Sequence, residues 1–345
     1  MASVMNKKRI LLVMMSLLLT ALSVRAQDEA VAVLTHEGSS KVFSGREALK
    51  AAYAEAAHGD LITLSSGQFE AATPIEKAIT IRGAGLGVDT IYGTQPTVIY
   101  NDFVLDIPSD VEGSHFTLEG IFHNGTISYS HVQKDLEFIK CRLGALTRAQ
   151  YEVLGGEKEY GSVVGMKIMQ CKITERLYCG VNSTMNIYNS FVTYPVTVDN
   201  ETSNMTFANC VLISSYTTTI RGSYLRNCIS GPTVFYGGNT TVTNCLLNTS
   251  SLPAKDKNTY TTFKAFSAVF KTFTSNYTEL ENFELRDDVK SVYVDANGSE
   301  IGMYGGVLPY SPRLAGPHLS LFNVNTRTTS DGKLRVRLQV ESTLE

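Results

Sequence analysis

Apolar and polar residues alternate along this chain in short runs, and eight of the runs align on one column. Ile81, Leu118, Phe138, Ile168, Ile187, Phe207, Leu225 and Val242 each stand three places before a second column, Ala84, Ile121, Cys141, Cys171, Ser190, Cys210, Cys228 and Cys245. The residue just before that second column is Gly83, Gly120, Lys140, Gln170, Asn189, Asn209, Asn227 or Asn244. From Cys171 to Cys245 the steps are 19, 20, 18 and 17 residues, after one step of 30. A period near twenty is too short for a paired-helix repeat and matches one coil of a stacked parallel β-helix.

Residues two apart on a strand share a face. The places two before the first column are Ile79, Phe116, Leu136, Met166, Met185 and Met205, weakening to Ser223 and Thr240. The places two after the second are Leu143, Ile173, Val192, Leu212 and Leu247. Apolar residues thus point inward on both sides of a break where the phase slips by one. Such a slip needs a turn, and Gly and Asn accept a left-handed backbone there at least cost. Lys140 and Gln170 fit that turn less well, which predicts irregularity in two early coils. An earlier coil is predicted over residues 61–67, with Ile62 and Leu64 inward, and another around Val98 and Ile99 in the gap between Ala84 and Ile121. Stacked at the inter-strand spacing, about nine or ten coils make a rod of roughly 45 Å.

Each coil covers only its neighbours, so both ends need caps. Residues 30–34 read as a strand. Ser44 and Glu47 have capping-box spacing. Ala48, Leu49, Ala52, Tyr53 and Ala56 then predict a helix over residues 44–57. The pattern breaks twice. Residues 144–161 lengthen one step and contain the helix-prone run Ala-Leu-Thr-Arg-Ala-Gln-Tyr. Residues 249–290 carry Phe263, Phe266, Phe270, Phe273 and Phe283 and read as irregular coils or a lid. Residues 319–340 read as a hairpin around a turn signal at 329–332.

The runs A-A-H-G-D-L-I-T-L-S-S-G-Q-F (56–69) and I-T-I-R-G-A-G (79–85) resemble the opening of the right-handed parallel β-helix proteins of the pectin-lyase-like superfamily. The run E-I-G-M-Y-G-G (300–306) resembles the piece that closes the helix in many secreted bacterial members. The resemblance implies an all-β chain, a single-stranded right-handed parallel β-helix with an N-terminal helical cap and a C-terminal hairpin. Taken with the residue patterns, the chain divides into a leader (1–26), a strand and helical cap (27–60), the β-helix with its closing segment (61–312) and a C-terminal hairpin or tail (313–345). The superfamily includes lyases, hydrolases, tail spikes and adhesins, so the resemblance implies a fold and not an activity.

Lys7, Lys8 and Arg9 precede an apolar run from Ile10, and Val24-Arg25-Ala26 is a cleavage site of secretory type. The chain is therefore expected to leave a bacterial cytoplasm by the Sec pathway, for the periplasm, the outer surface or the medium. No second apolar run is long enough to span a membrane. The leader takes four of the 30 basic residues and none of the 33 acidic ones, leaving the mature chain at a net charge of −7. That argues against nucleic acid and anionic membrane surfaces as partners. Five of the six cysteines sit in the inward small column, which predicts a buried ladder of thiols, with Cys179 the exception.

No Gly-His-Gly turn, paired carboxylates or cluster of Asp oxygens for calcium can be assembled on the coils. His115, His123 and His131 are eight apart, which places them on different sides of a coil of about twenty, so no metal and no cofactor is expected. The catalytic candidates are Lys167, Tyr188, Tyr224 and Arg226, outward residues sharing a face with Glu137. A base and a tyrosine in that setting suit β-elimination from a uronic acid. There is no Trp, so any sugar platform must be made of Tyr.

One outward row is anomalous. Phe191, Val211, Ile229 and Leu246, with Phe122 further forward, follow the small column and should face solvent. Such a stripe marks an interface. The late segment, residues 249–290, or the hairpin is the expected cover, and failing those a second protein. Together these features describe a secreted or surface-exposed protein without catalysis, serving adhesion, glycan contact or surface structure, with a polysaccharide or surface glycan as partner. The alternative is a polysaccharide lyase or other carbohydrate-active enzyme acting on uronic-acid polymers.

Overall fold

Strands of two to eight residues are not stable alone, and here they are stabilised by pairing into two long sheets. The computed structural model describes residues 30–86, 95–108, 115–153, 155–197, 202–214, 217–249, 251–273, 282–312, 316–324 and 336–343. The leader lies outside the described residues, as do the turn signal at 329–332 and Leu334. The first sheet runs in chain order through Leu61–Leu64, Thr80–Arg82, Thr117–Glu119, Glu137–Ile139, Met166–Met169, Thr184–Tyr188, Asn204–Ala208, Tyr224–Arg226 and Thr241–Thr243, all parallel. The second runs in the same order from Gly67–Glu70 and Thr97–Tyr100 to Cys245–Leu247 and Tyr260–Thr262. The chain alternates between the sheets, and each strand pairs with its equivalents in the passes before and after. The result is an all-β molecule dominated by parallel pairing. Among the described residues no helix is long and apolar enough to cross a membrane.

The apolar column is a row of register partners from Ile62 and Ile81 through Leu118, Phe138, Ile168, Ile187, Phe207 and Leu225 to Val242. Every member is buried, as are Ser223 and Thr240, where the flanking column loses its apolar character. Between the sheets the backbone turns through the left-handed region at Gly120, Lys140, Gln170, Asn189, Asn209, Asn227 and Asn244, with φ from 46° to 65°. Lys140 (49°) and Gln170 (54°) adopt it like the asparagines, so the expected irregularity does not arise at those two turns. The exception is Gly83. Its φ is not left-handed, Gly85 turns instead at 111°, and a Cβ on Gly83 would lie 2.5 Å from Ile121 Cδ1. The expected extra coil at Val98 and Ile99 is also absent. Thr80–Arg82 pairs directly with Thr117–Glu119, and Thr97–Tyr100 is the second-sheet strand of the same pass.

The helix-prone run after Gly144 is a strand. Arg142–Arg148 pairs on both sides, because Leu143 and Leu146 are both needed in the core and a register shift between them lets both face inward. Gly144 fits that shift because a Cβ there would meet Gly125 O at 2.5 Å. A hairpin, Gln150–Glu152 with Lys158–Tyr160, follows it.

The N-terminal cap differs from the expectation in its details. Val31–His36 pairs antiparallel with both Ser39–Ser44 and Leu61–Leu64. Ser44 is held in that ladder opposite Val31, and Gly45 turns at φ 92°, so no capping box forms. The helix is Ala48–Glu55, with Glu47 at the N-cap making no side-chain cap. Ala48, Leu49 and Ala52 are its buried face. At the other end of the chain, Gly316–Val324 and Val336–Thr343 form the antiparallel hairpin.

All six cysteines are buried and unbridged. The small column forms a hydrogen-bonded ladder. The N–H groups of Cys141, Cys210 and Cys228 donate to Cys171, Cys228 and Cys245 Sγ at 3.3, 3.4 and 3.3 Å. Ser190 Oγ accepts from Cys171 N at 3.0 Å. Burial pushes the Cys141, Cys210 and Cys245 thiols up, and that of Cys179 up to about 12, so they stay neutral and are not nucleophiles.

The anomalous row is covered by its own chain. Phe191, Val211, Ile229 and Leu246 are buried in one cluster with Phe266, Phe270, Phe283, Leu285, Ile301 and Met303. Phe283 stacks on Phe191 with ring centroids 4.7 Å apart. The four residues are thus buried under the cover expected first, the late segment, and do not wait for a second protein. Phe122 lies ahead of this cover, and the Arg142 guanidinium sits 4.2 Å from its ring centroid.

One inward row of the second sheet holds a residue out of keeping. Ile99, His123, Leu143, Ile173, Val192 and Leu212 are register partners. His123 is fully buried, its Nε2 is 2.8 Å from Asn101 O, and its Nδ1 has no hydrogen-bond partner. Burial lowers its pKa. Above about pH 6.5 the ring is neutral folded and unfolded. Below that the unfolded chain takes the proton first, so this residue costs stability by up to ~1.4 kcal/mol per pH unit until the folded pKa is reached. His123→Leu is expected to remove that acid-side slope, read as melting temperature against pH from 7 to 4.5; an unchanged slope would show that His123 is not its source.

Candidate functional site

Alternation fixes the outward side of the first sheet as it fixes the core. Glu137, Lys167, Asn186, Thr206 and Tyr224 form one outward row, and Met169, Tyr188, Ala208 and Arg226 the next. The four catalytic candidates therefore do share a face, but the sheet spreads them out. Lys167 and Tyr224 are three strand spacings apart, roughly 14 Å, and Tyr188 and Arg226 two, roughly 10 Å. A base and an acid acting on one sugar must each come within hydrogen-bond reach of it. Lys167 is also in the wrong state. Its Nζ donates to Glu137 Oε1 at 2.8 Å, and that bond raises its pKa, so it stays a cation and cannot take a proton. Arg82 is likewise paired with Glu119 at 2.6 Å. Tyr188, Tyr224 and Arg226 make no side-chain pairing with any described residue, and Tyr224 is 56% exposed.

At the edge of this face the turn row meets the late segment where it continues beyond residue 290, through residues 291–312. Residues 294–297 and 306–308 stand over it and leave an open groove of about 530 Å³, floored by the turn asparagines and flanked by Tyr188 and Arg226. The turn amides tie the walls down. Gln170 Nε2 donates to Pro309 O at 2.7 Å, Asn189 Nδ2 to Gly305 O at 2.6 Å and Asn244 Nδ2 to Val294 O at 2.9 Å. The left-handed turn that sends each amide outward is the same one that the column of Gly and Asn predicts.

A second patch lies around the hairpin. His131, with left-handed φ of 51°, meets Asp106 Oδ1 through Nδ1 at 2.6 Å and stacks on Tyr151 with centroids 4.0 Å apart. The Arg148 guanidinium sits 3.9 Å from the Tyr160 ring centroid and 5.0 Å from that of Tyr178. The even spacing of the histidines says nothing of this. His123 is in the core, His115 and His131 are at the surface, and no three His, Cys, Asp or Glu converge as metal ligands among the described residues. The signal for this patch is the hairpin insertion itself, since loops on rigid scaffolds carry function. Comparison with family models, with curated proteins and with solved structures gives no match for this chain.

Proposed function

We propose that this chain is a right-handed parallel β-helix of pectin-lyase-like type, exported by a bacterium and displayed outside the cytoplasm, where it contacts glycans without cleaving them. The observation that carries this reading is the state of the groups on the outward face of the first sheet. The one amine placed to act as a base is tied to Glu137 and held cationic. The groups without a side-chain partner among the described residues, Tyr188, Tyr224 and Arg226, suit gripping a sugar: aromatic faces for its C–H surface and a guanidinium fork for its oxygens. The long parallel sheets support a rigid, extended display of that face, and the acidic balance of the chain suits a solvated extracellular setting.

Two measurements on one protein sample test it. Mass spectrometry after incubation with pectate, alginate and hyaluronan is expected to find no unsaturated oligosaccharides, and a glycan array is expected to find bound glycans. Unsaturated products that appear with the wild type and vanish with Arg226→Ala would overturn the reading in favour of a lyase.

A further inference from the structure

The hairpin that follows Arg142–Arg148 has two faces. Its register pairs Tyr151 with Glu159 and Gln150 with Tyr160, so Tyr151 and Tyr160 point to opposite sides. The Tyr151 side is fixed by the His131 ring and by a hydrogen bond from Tyr151 Oη to Glu159 Oε2 at 2.9 Å. On the Tyr160 side the Arg148 guanidinium lies over the rings of Tyr160 and of Tyr178 from the next pass. The Tyr178 backbone is held as well, its carbonyl accepting from Tyr129 Oη at 2.7 Å. Contact with a ring occupies the face of a guanidinium, whereas its N–H groups lie in the plane. Those of Arg148 have no hydrogen bond and no carboxylate partner among the described residues. They are open to solvent, unlike Asn209 Nδ2, which is unpaired but buried. Gly180 leaves Nη1 uncovered on one side, since even a Cβ there would lie 3.8 Å from it. Tyr160 is 50% exposed.

We propose that Arg148, Tyr160 and Tyr178 form a binding site for a glycan bearing one acidic sugar, its carboxylate in the plane of the Arg148 guanidinium and the C–H face of a neighbouring sugar on Tyr160. The proposal rests on the glycan-contact reading for its class of ligand and goes beyond it in placing a site at the hairpin, on a different sheet from Tyr188, Tyr224 and Arg226. The carboxylate follows from a planar fork whose face is already held by two rings and whose N–H groups are free, so little ordering remains to be done on binding. A glycan rather than a peptide follows from the backbone. Arg142–Arg148 and Lys172–Cys179, the strands that carry Arg148 and Tyr178, pair on both sides, so neither offers an edge for a peptide strand to join. The exposed tyrosine ring suits the C–H face of a sugar. The limit to one acid follows from charge. The hairpin sets Glu152, Glu157 and Glu159 against Lys158, and Glu175 is exposed on the next pass. A polymer acidic at every residue would place its further carboxylates among those acids.

The test uses the full chain and four probes by calorimetry: 3′-sialyllactose, lactose, trigalacturonate and tetra-alanine with a free C-terminal carboxylate. Sialyllactose is expected to bind best. Arg148→Gln is expected to weaken it roughly tenfold to a hundredfold, the range of one hydrogen bond to a charged group. Arg148→Lys, which keeps the charge and loses the fork, is expected to recover only part of that loss. Tyr160→Ala is expected to weaken it about twofold to tenfold, the range of an aromatic contact. Tyr160 is half exposed, so its variant keeps the fold even where a change at Arg148 disturbs the hairpin. Lys255→Gln, which removes an exposed cation set over the Tyr260 ring on the last strand of the second sheet, is expected to change nothing. Sialyllactose binding that ignores either Arg148→Gln or Tyr160→Ala, or that is no tighter than the binding of lactose, trigalacturonate or tetra-alanine, overturns the site and leaves the wider reading standing. Absence of binding to these probes and to every glycan of the array overturns both.

Discussion

Alanine at Gly305 is expected to detach the late segment from the sheets, with a loss of stability on the order of 4 kcal/mol, the upper range for single substitutions. A Cβ at this position would lie 1.5 Å from Glu300 O and 2.5 Å from Glu300 C, both backbone atoms that no rotamer change can move. The turn around it has no slack. Gly305 N donates to Gly302 O, Gly302 N to Asn227 O, and Gly306 N to Ser299 Oγ. Opening the turn withdraws Ile301 and Met303, each 1% exposed, from Val211 and Ile229. At ~25 cal/mol per Å² of apolar area, uncovering that row accounts for several kcal/mol. The signature is local: a hydrophobic dye binds and proteolysis begins within residues 282–312, while far-ultraviolet circular dichroism keeps the strand signal. A variant that melts with the wild type and binds no dye would show that the segment is not held by this turn.

The same stripe shows how far a pattern of residues reaches. A run of Phe191, Val211, Ile229 and Leu246 on an outward phase announces a cover, and the phenylalanines at 263–283 announce what supplies it, because burial is proportional to area and indifferent to detail. Rows of register are legible for the same reason: Ile62 to Val242 repeat one physical requirement in each pass. What is illegible depends on a single path in space. Lys140 and Gln170 enter the left-handed region against their intrinsic cost because neighbouring passes over-determine the turn. Ser44 has a capping spacing but is claimed by a ladder with Val31. The pairing of Lys167 with Glu137, thirty residues away, and of His131 with Asp106, twenty-five away, depends on how long each intervening excursion happens to be. Tyr188 and Arg226 are visible as outward residues of one face. Asn209 is not distinguishable from its neighbours in the row, because its unused amide results from where the late segment passes.

Phe207→Ala is expected to cost about 3–5 kcal/mol, the range for removing a buried aromatic side chain. Phe207 is fully buried in register between Ile187 and Leu225. Its outward neighbour across the next strand, Tyr224, provides the contrast: it is 56% exposed, and Tyr224→Ala is expected to change stability by no more than about 0.5 kcal/mol. Denaturant midpoints of the two variants measure the pair directly, with the slope checked for constancy. Position along the sheet adds a second readout. Each strand hydrogen-bonds only to the strand before and the strand after it, so the lost packing is felt first by Thr184–Tyr188 and Tyr224–Arg226. Amide exchange is therefore expected to accelerate in those strands while Leu61–Leu64, under its helix and antiparallel cap, keeps its protection. Equal costs at Phe207 and Tyr224 would mean that the inward phase has been assigned to the wrong face, and with it every row from Ile62 to Val242. Uniform acceleration along the whole sheet would instead mean that the passes unfold as one unit, so that the penalty at Phe207 is shared by the entire stack.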